Sequence, residues 1–196
     1  MRSASFDRDE VVENIMNAFW EHGYEATSVQ VLEAATGLKR QSLYNAFGNK
    51  DAMFELASER YQARVSQRLM ATLDQAEPKL ALRDFFAAQL EVLLDEGRPS
   101  GCFVAGGQQE LANRPDDTLG QRMAGLIGEQ YEGLVDAFSR WRDTGKLTQD
   151  AEPEALAAIM MSAIRGQSVL GRSPLSQAII TRSAHTLPDL LDRYLV

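Results

Sequence analysis

Residues 28–50, Ser28-Val29-Gln30-Val31-Leu32-Glu33-Ala34-Ala35-Thr36-Gly37-Leu38-Lys39-Arg40-Gln41-Ser42-Leu43-Tyr44-Asn45-Ala46-Phe47-Gly48-Asn49-Lys50, read as two short helices joined around a glycine. Thr27 or Ser28 can cap the first, whose apolar face is Val29, Val31, Leu32 and Ala35, and Gly37 supplies the turn. The second is anchored by Leu38, Leu43 and Phe47. Between those anchors it presents Lys39, Arg40, Gln41, Ser42, Tyr44 and Asn45, a polar surface of the size that enters a major groove. Arginine can donate to guanine O6 and N7, and glutamine and asparagine match the donor-acceptor edge of adenine. Arg40, Gln41 and Asn45 are therefore the candidate base readers.

Upstream, Val12, Ile15, Met16 and Phe19 recur at helical spacing from about Asp7 to His22, and Gly23 follows as a stop. Three helices would thus make up the reader. Downstream, Asn49 can cap a long helix marked by Phe54, Ala57, Tyr61, Val65, Leu69 and Leu73. Pro78 opens another with Leu82, Phe85, Phe86, Leu90, Leu93 and Leu94, broken at Glu96-Gly97-Arg98-Pro99. A short helix over Gly101 to Leu111 should end at Asn113-Arg114-Pro115. Leu119, Met123, Ile127, Tyr131, Leu134, Val135 and Phe138 mark a long one, closed by Gly145. Pro153 starts the next, and Pro174 precedes the last stretch, which Pro188 should kink or interrupt near Leu187 because proline removes an amide donor. Strand-like alternation is essentially absent. The expectation is an all-α chain of about nine helices. Residues 1–49 would form a three-helix helix-turn-helix domain and 50–196 a helical body.

The chain of 196 residues is 44% apolar, enough for a real core, and has a net charge of −8 that opposes attraction to a polyanion. The local distribution answers this: Thr36 to Lys50 holds Lys39, Arg40 and Lys50 and no acid, +3 inside an acidic protein. No apolar run approaches the roughly 18 to 20 residues needed to cross a bilayer, and no basic-then-apolar leader opens the chain, so a cytoplasmic protein without a membrane partner is expected. A single cysteine, Cys102, excludes an intrachain disulfide and any zinc site with several sulfurs; His22 and His185 lie far apart. No metal and no cofactor are expected.

The order Gly23-Tyr24, Thr27-Ser28, Glu33 to Leu38, Ser42-Leu43-Tyr44-Asn45-Ala46-Phe47-Gly48 and Lys50 resembles the tetracycline-repressor (TetR) family over roughly residues 7 to 55. Gly101-Cys102-Phe103-Val104 with Glu110-Leu111-Ala112 resembles one branch of it. The resemblance implies a homodimeric transcription regulator, usually a repressor, whose C-terminal body binds a small molecule and sets the spacing of two readers. It implies that Thr27 and Ser28 touch DNA phosphates, that Tyr44 and Lys50 hold the backbone, and that Lys39, Arg40, Gln41, Ser42 and Asn45 form the recognition face. Gln41 stands where many members have glycine, and Ala46 replaces the commoner tyrosine or histidine.

One short reader offers few contacts, so a two-fold dimer on a near-palindromic double-stranded site is the economical arrangement. Leu156, Ile159, Met160, Ile164, Leu187, Leu191 and Leu195 are the candidate dimer interface; an intrachain core is the other reading of the same spacing. Phe86, Gln89, Leu90, Cys102, Phe103, Met123, Ile127 and Tyr131 are the candidate effector-pocket residues, with ordinary core packing as the alternative. Phe85, Gln108 and Gln130 stand among the same helices. Cys102, near a helix start, raises a thiol-based sensor of electrophiles or oxidants against an inert buried thiol. An all-α enzyme or a protein-interaction adaptor are rivals from other classes. The first finds no nucleophile elbow, phosphate loop or paired-histidine motif.

Overall fold

The computed structural model describes residues 6–114 and 117–196; Pro115, expected to help end the short helix, lies outside them. Ten α-helices follow one another: α1 Arg8–Ala26, α2 Val29–Thr36, α3 Arg40–Phe47, α4 Lys50–Tyr61, α5 Gln67–Ala71, α6 Pro78–Leu94, α7 Phe103–Leu111, α8 Thr118–Asp143, α9 Pro153–Leu170 and α10 Gln177–Leu191. A π-helical turn, Gln62–Ser66, runs α4 into α5 without a break, so the described residues hold nine helical rods. Among the described residues one isolated β-bridge, Leu147 with Leu195, ties the C-terminal residues to the α8–α9 loop.

Side-chain caps open α1, α2 and α4, two of them, Ser28 and Asn49, read from the sequence. Asp7 accepts from the Asp9 amide at 2.9 Å at the start of α1, Ser28 from Val31 at the start of α2, and Asn49 from Ala52 at the start of α4. Each satisfies an amide that the first turn would leave without a partner. The regular part of α1 ends at Gly23, whose φ of 79° and ψ of 175° lie outside the helical region. Gly37, at φ 69°, makes the left-handed turn between α2 and α3, its amide donating to the Glu33 carbonyl.

Two cores form. One joins Ile15, Phe19, Trp20, Leu32, Leu43, Phe47 and Phe54 of α1–α4 to Phe103, Val104 and Leu111 of α7 and Leu119, Met123 and Leu126 of α8. The other joins Leu82, Phe85 and Phe86 of α6 to Leu134, Phe138 and Trp141 of α8, Leu156 and Met160 of α9, and Leu191 of α10. The reader thus shares its core with α7 and the first half of α8. An aromatic ladder fills that junction: the Trp20 ring meets Tyr61 edge-on at 4.9 Å, Tyr61 stacks on Phe103 at 5.4 Å, and Phe103 on Phe54 at 5.1 Å.

Of the kink or interruption expected near Leu187, the interruption does not occur: α10 runs through Pro188 to Leu191. The proline lies one turn from the helix end, so it removes a single interior hydrogen bond. Its own carbonyl still accepts from Asp192, and its ring is buried.

Candidate nucleic-acid interface

Leu43 and Phe47 are the pins that orient α3: both are buried, with Leu32 of α2 beneath them. Their burial turns Lys39, Arg40, Gln41, Ser42 and Asn45 outward, and all five are exposed. Tyr44 is half-buried, with the Arg40 guanidinium 5.3 Å over its ring, a cation–π contact that holds the arginine along the helix. Gln41 Nε2 donates to Asn45 Oδ1 at 2.9 Å, fixing both amide groups one turn apart. The α3 N-terminus has no side-chain cap of its own; instead the Glu33 carboxylate accepts from the Arg40 amide at 2.9 Å, which couples α2 to α3. Behind the recognition face, Arg8 donates to the Ala46 carbonyl at 3.0 Å and lies over the Phe47 ring.

Thr27 departs from its expected place. It is fully buried, and its hydroxyl points inward to the Gly23 carbonyl at 2.5 Å and the Ala18 carbonyl at 3.3 Å. The bend at Gly23 frees that carbonyl from the helix ladder, and Thr27 is the donor that satisfies it, so its side chain is structural. Ser28 is exposed, its hydroxyl engaged as the α2 cap.

Lys50 sits at the start of α4, half-buried, with Nζ 3.3 Å from the Glu25 carbonyl and 4.4 Å from the centre of the Tyr24 ring. Lys50 is the first residue of α4, so its positive charge belongs to the helix end that suits a phosphate. Tyr24 donates a short hydrogen bond to Asp51. Burial first, then that hydrogen bond and the Asp51 charge, push its pKa up to about 12, against the opposing effect of Arg114. From α7, Glu110 accepts from the Glu25 amide at 2.9 Å, and just beyond that helix Arg114 pairs with the Glu25 carboxylate at 2.5 Å. The backbone that holds Lys50 is therefore clamped by the C-terminal end of α7.

The other end of α7 borders a cavity of about 40 Å³. Of the expected effector-pocket residues, Gln89 and Cys102 line it; Phe86, Leu90, Phe103, Met123, Ile127 and Tyr131 do not. Phe86, Phe103 and Met123 are instead core residues, and Leu90, Ile127 and Tyr131 are partly buried against the cores. Phe85 and Gln130 line the cavity with Tyr61, Ser66, Arg165 and Ser168, four residues that sequence reasoning did not select. An arginine inside the apolar run of α9 was the available signal for Arg165. Cys102 Sγ accepts from the Tyr61 hydroxyl at 3.4 Å and from Arg165 Nη1 at 3.8 Å. Burial foremost, with the Cys102 contact second, raises the Tyr61 pKa well above its ordinary value.

Among the dimer candidates, Leu156, Met160 and Leu191 point into the protomer's own second core, with Ile164, Leu187 and Leu195 packed partly against it. Leu195 is also held in the bridge to Leu147. Ile159 alone of the seven is an exposed large apolar side chain, at 53%. The exposed apolar surface nearby comes from residues not selected: Val169, Leu170, Leu175, Ile179 and Leu190. Helices with apolar residues on two sides do not announce which side turns inward.

A small polar helix pinned over a glycine turn, a basic N-terminal end at α4 and a helical body packed behind them define a helix-turn-helix regulator. The family model described as bacterial regulatory proteins, tetR family, matches residues 12–57. The chain is 31% identical to the HTH-type transcriptional repressor ComR of Escherichia coli (strain K12), over 94% of this chain and 89% of that protein. It is 32% identical to the uncharacterized HTH-type transcriptional regulator YezE of Bacillus subtilis (strain 168), over 80% and 81%. The TetR-family regulator CifR, solved as a cysteine mutant with a 26-base-pair operator, has the same fold at a TM-score of 0.81 and 24% identity, covering 94% of this chain and 98% of that one. The chain belongs to the TetR family of bacterial regulatory proteins. It is a DNA-binding transcriptional regulator and not an enzyme. No helix among the described residues is long and apolar enough to cross a membrane.

Proposed function

We propose that the protein is a cytoplasmic homodimeric repressor that holds a near-palindromic operator and lets it go when a small molecule enters the cavity between α4–α5, α6, α8 and α9. Residues 1–49 carry the reader; residues 50–196 carry the effector and dimer functions. One observation carries the reading. The α3 face of Lys39, Arg40, Gln41, Ser42 and Asn45 is exposed and polar while its neighbours Leu43 and Phe47 are buried, a division that leaves a major-groove surface without another partner in the fold. The names of ComR, a repressor, and CifR, solved on an operator, support the same conclusion.

Arg40, Gln41 and Asn45 read bases on a recognition face shared with Lys39 and Ser42, whereas Ser28, Tyr44 and Lys50 set register on the backbone. A second copy of this chain covers Ile159, Ile179 and Leu190 of α9 and α10 and places the two α3 helices about 34 to 36 Å apart, one turn of DNA. An effector acts only by preferring one reader spacing: shifting 1:99 to 99:1 takes about 5.5 kcal/mol of preference. The test is selection of genomic fragments by the purified protein, followed by titration of the best one against Arg40→Ala and measurement of mass in solution. A near-palindromic site whose recognition weakens in the variant, bound by a dimer, supports the reading. A monomer that binds all sequences alike refutes it.

Cys102 favours a second reading, because its sulfur faces the cavity between Tyr61 and Arg165: an electrophile or oxidant reacting there would act as the effector. Native-state thiol modification that leaves operator affinity unchanged removes it.

A further inference from the structure

The cavity wall holds two polar groups that the fold leaves incomplete. Arg165 reaches Cys102 Sγ and, through a short hydrogen bond, Gln130 Oε1; its Nε is buried and unpartnered. None of those neighbours is a carboxylate, and among the described residues Arg165 makes no ion pair. Gln89, 3% exposed, donates to Gln167 Oε1 at 2.9 Å, but its own Oε1 is buried without a partner. A half-buried guanidinium whose buried Nε has no partner, and a buried carbonyl oxygen without one, each carry a desolvation cost, and both are relieved by a ligand carrying the complementary groups.

The π turn contributes to this arrangement. Ser66, at its end, is 2% exposed and accepts from Gln130 Nε2 at 3.2 Å, so the Gln130 carbonyl is turned toward Arg165. A π turn adds a residue to the helical circuit and re-aims the side chains beyond it. Around these polar groups the wall is apolar, with Phe85, Leu134 and Ile164, and contains Met70 and Met161. At about 40 Å³ the cavity has room for a group of a few heavy atoms; anything longer must displace wall. The unbranched methionines are the side chains best able to move.

We propose that the effector is a small amphipathic carboxylate bearing a hydrogen-bond donor, its carboxylate paired with Arg165 and its donor directed to Gln89 Oε1. This rests on the reading of the cavity as an effector site. Bidentate pairing of a carboxylate with a guanidinium supplies both charge and direction, which a neutral alcohol of the same length cannot match. The apolar tail replaces the methionine side chains against Phe85 and Leu134.

The probes are hexanoate, 3-hydroxyhexanoate and 1-hexanol, titrated calorimetrically into the full-length protein, Arg165→Gln and Gln89→Leu. In the unsubstituted protein hexanoate binds at least about tenfold tighter than hexanol, and the hydroxy acid tighter again by about threefold. Arg165→Gln brings acid and alcohol to the same affinity; Gln89→Leu abolishes the gain from the hydroxyl and keeps the gain from the carboxylate. Equal binding of acid and alcohol in the unsubstituted protein overturns the proposal, as does failure of either acid to bind; should Arg165→Gln not fold, that ratio decides alone. A hydroxy acid no tighter than hexanoate overturns the role of Gln89. Operator affinity measured with each probe separates this proposal from the reading beneath it. Acid binding through Arg165 that leaves DNA affinity unchanged refutes the effector reading and leaves the anion site standing. Release of DNA by hexanol as readily as by hexanoate supports an effector cavity and refutes the carboxylate.

Discussion

Replacing Gly23 by alanine tests the joint between reader and body. Its backbone, φ 79° and ψ 175°, occupies a region essentially reserved for glycine, and forcing an L-residue there costs about 1–3 kcal/mol. The added Cβ would also stand 1.8 Å from Glu110 Oε1 and 2.7 Å from Cδ of the same carboxylate. That carboxylate must move, giving up its 2.9 Å hydrogen bond to the Glu25 amide, a further ~1 kcal/mol for a charge-assisted bond in contact with solvent. The sum is about 2–4 kcal/mol, or roughly 2–4 °C of Tm per kcal/mol at this chain length. Urea unfolding of Gly23→Ala, Glu110→Ala and the double variant separates the two parts. Glu110→Ala alone loses ~1 kcal/mol, and the double variant loses less than the sum by about the same amount, since the hydrogen bond can be lost only once. Gly23→Ala within ~0.5 kcal/mol of the unsubstituted protein refutes the strain argument; strict additivity refutes the clash.

Thr27→Val keeps the shape and removes the hydroxyl that satisfies the Gly23 carbonyl, so stability falls by about 1–2 kcal/mol in urea unfolding while operator affinity of the folded protein stays unchanged. Arg40→Ala costs ~1–3 kcal/mol on the specific site and much less on scrambled DNA, whereas Lys50→Ala weakens both about equally and lowers the salt slope by ~1 per reader, readable by fluorescence anisotropy across a salt series. In an alkaline titration followed by phenolate absorbance, Tyr24 ionises near pH 12 and Tyr61 well above the ordinary phenol range. The unfolded phenols ionise near pH ~10, so the unfolded state releases protons first. The contribution of these two groups to stability is complete below about pH 10 and declines as pH rises toward 12 and beyond.

The recognition helix was legible because what orients it is local. Gly37 makes the turn, Ser28 and Asn49 cap, and Leu43 and Phe47 fall one helical turn apart, so the outward face of α3 follows from spacing alone. Thr27 was misplaced since its partner is a carbonyl freed by the bend at Gly23, a consequence of backbone geometry that composition does not carry. The cavity was less legible still. Apolar spacing marked Phe86, Phe103 and Met123 as buried, which they are, but burial is not emptiness, and whether a side chain borders a void depends on where helices from distant sequence meet. Ser66 reaches the cavity through a π turn that Gln62–Ser66 does not advertise by any proline or glycine. Leu156 and Met160 show the same limit at the surface: with apolar residues on two faces of α9, only the folded chain decides that these turn inward and Ile159 outward.

The placement of α7 gives the proposed effector control a direct physical route. Cys102, at its N-terminus, borders the cavity, and the adjoining Gly101 carbonyl accepts from the Trp20 indole at 3.2 Å, so the cavity wall is bonded to α1. Nine residues on, the same helix ends at Glu110 and Leu111, with Arg114 just beyond; Glu110 and Arg114 grip Glu25, whose carbonyl holds Lys50. Along its length the Phe103 ring is stacked between Tyr61 and Phe54, leaving little room for α7 to deform within itself. A ligand that pushes on Cys102 or Tyr61 must therefore either move α7 as a rod or break the aromatic ladder. The rod carries the displacement to Lys50 and to the pitch of α1 beneath α3; the broken ladder would loosen the reader's own core. Breaking the Glu110 and Arg114 contacts should separate the alternatives, since a rod without its distal grip still binds the effector but no longer transmits it, whereas loosening through the core would survive their loss.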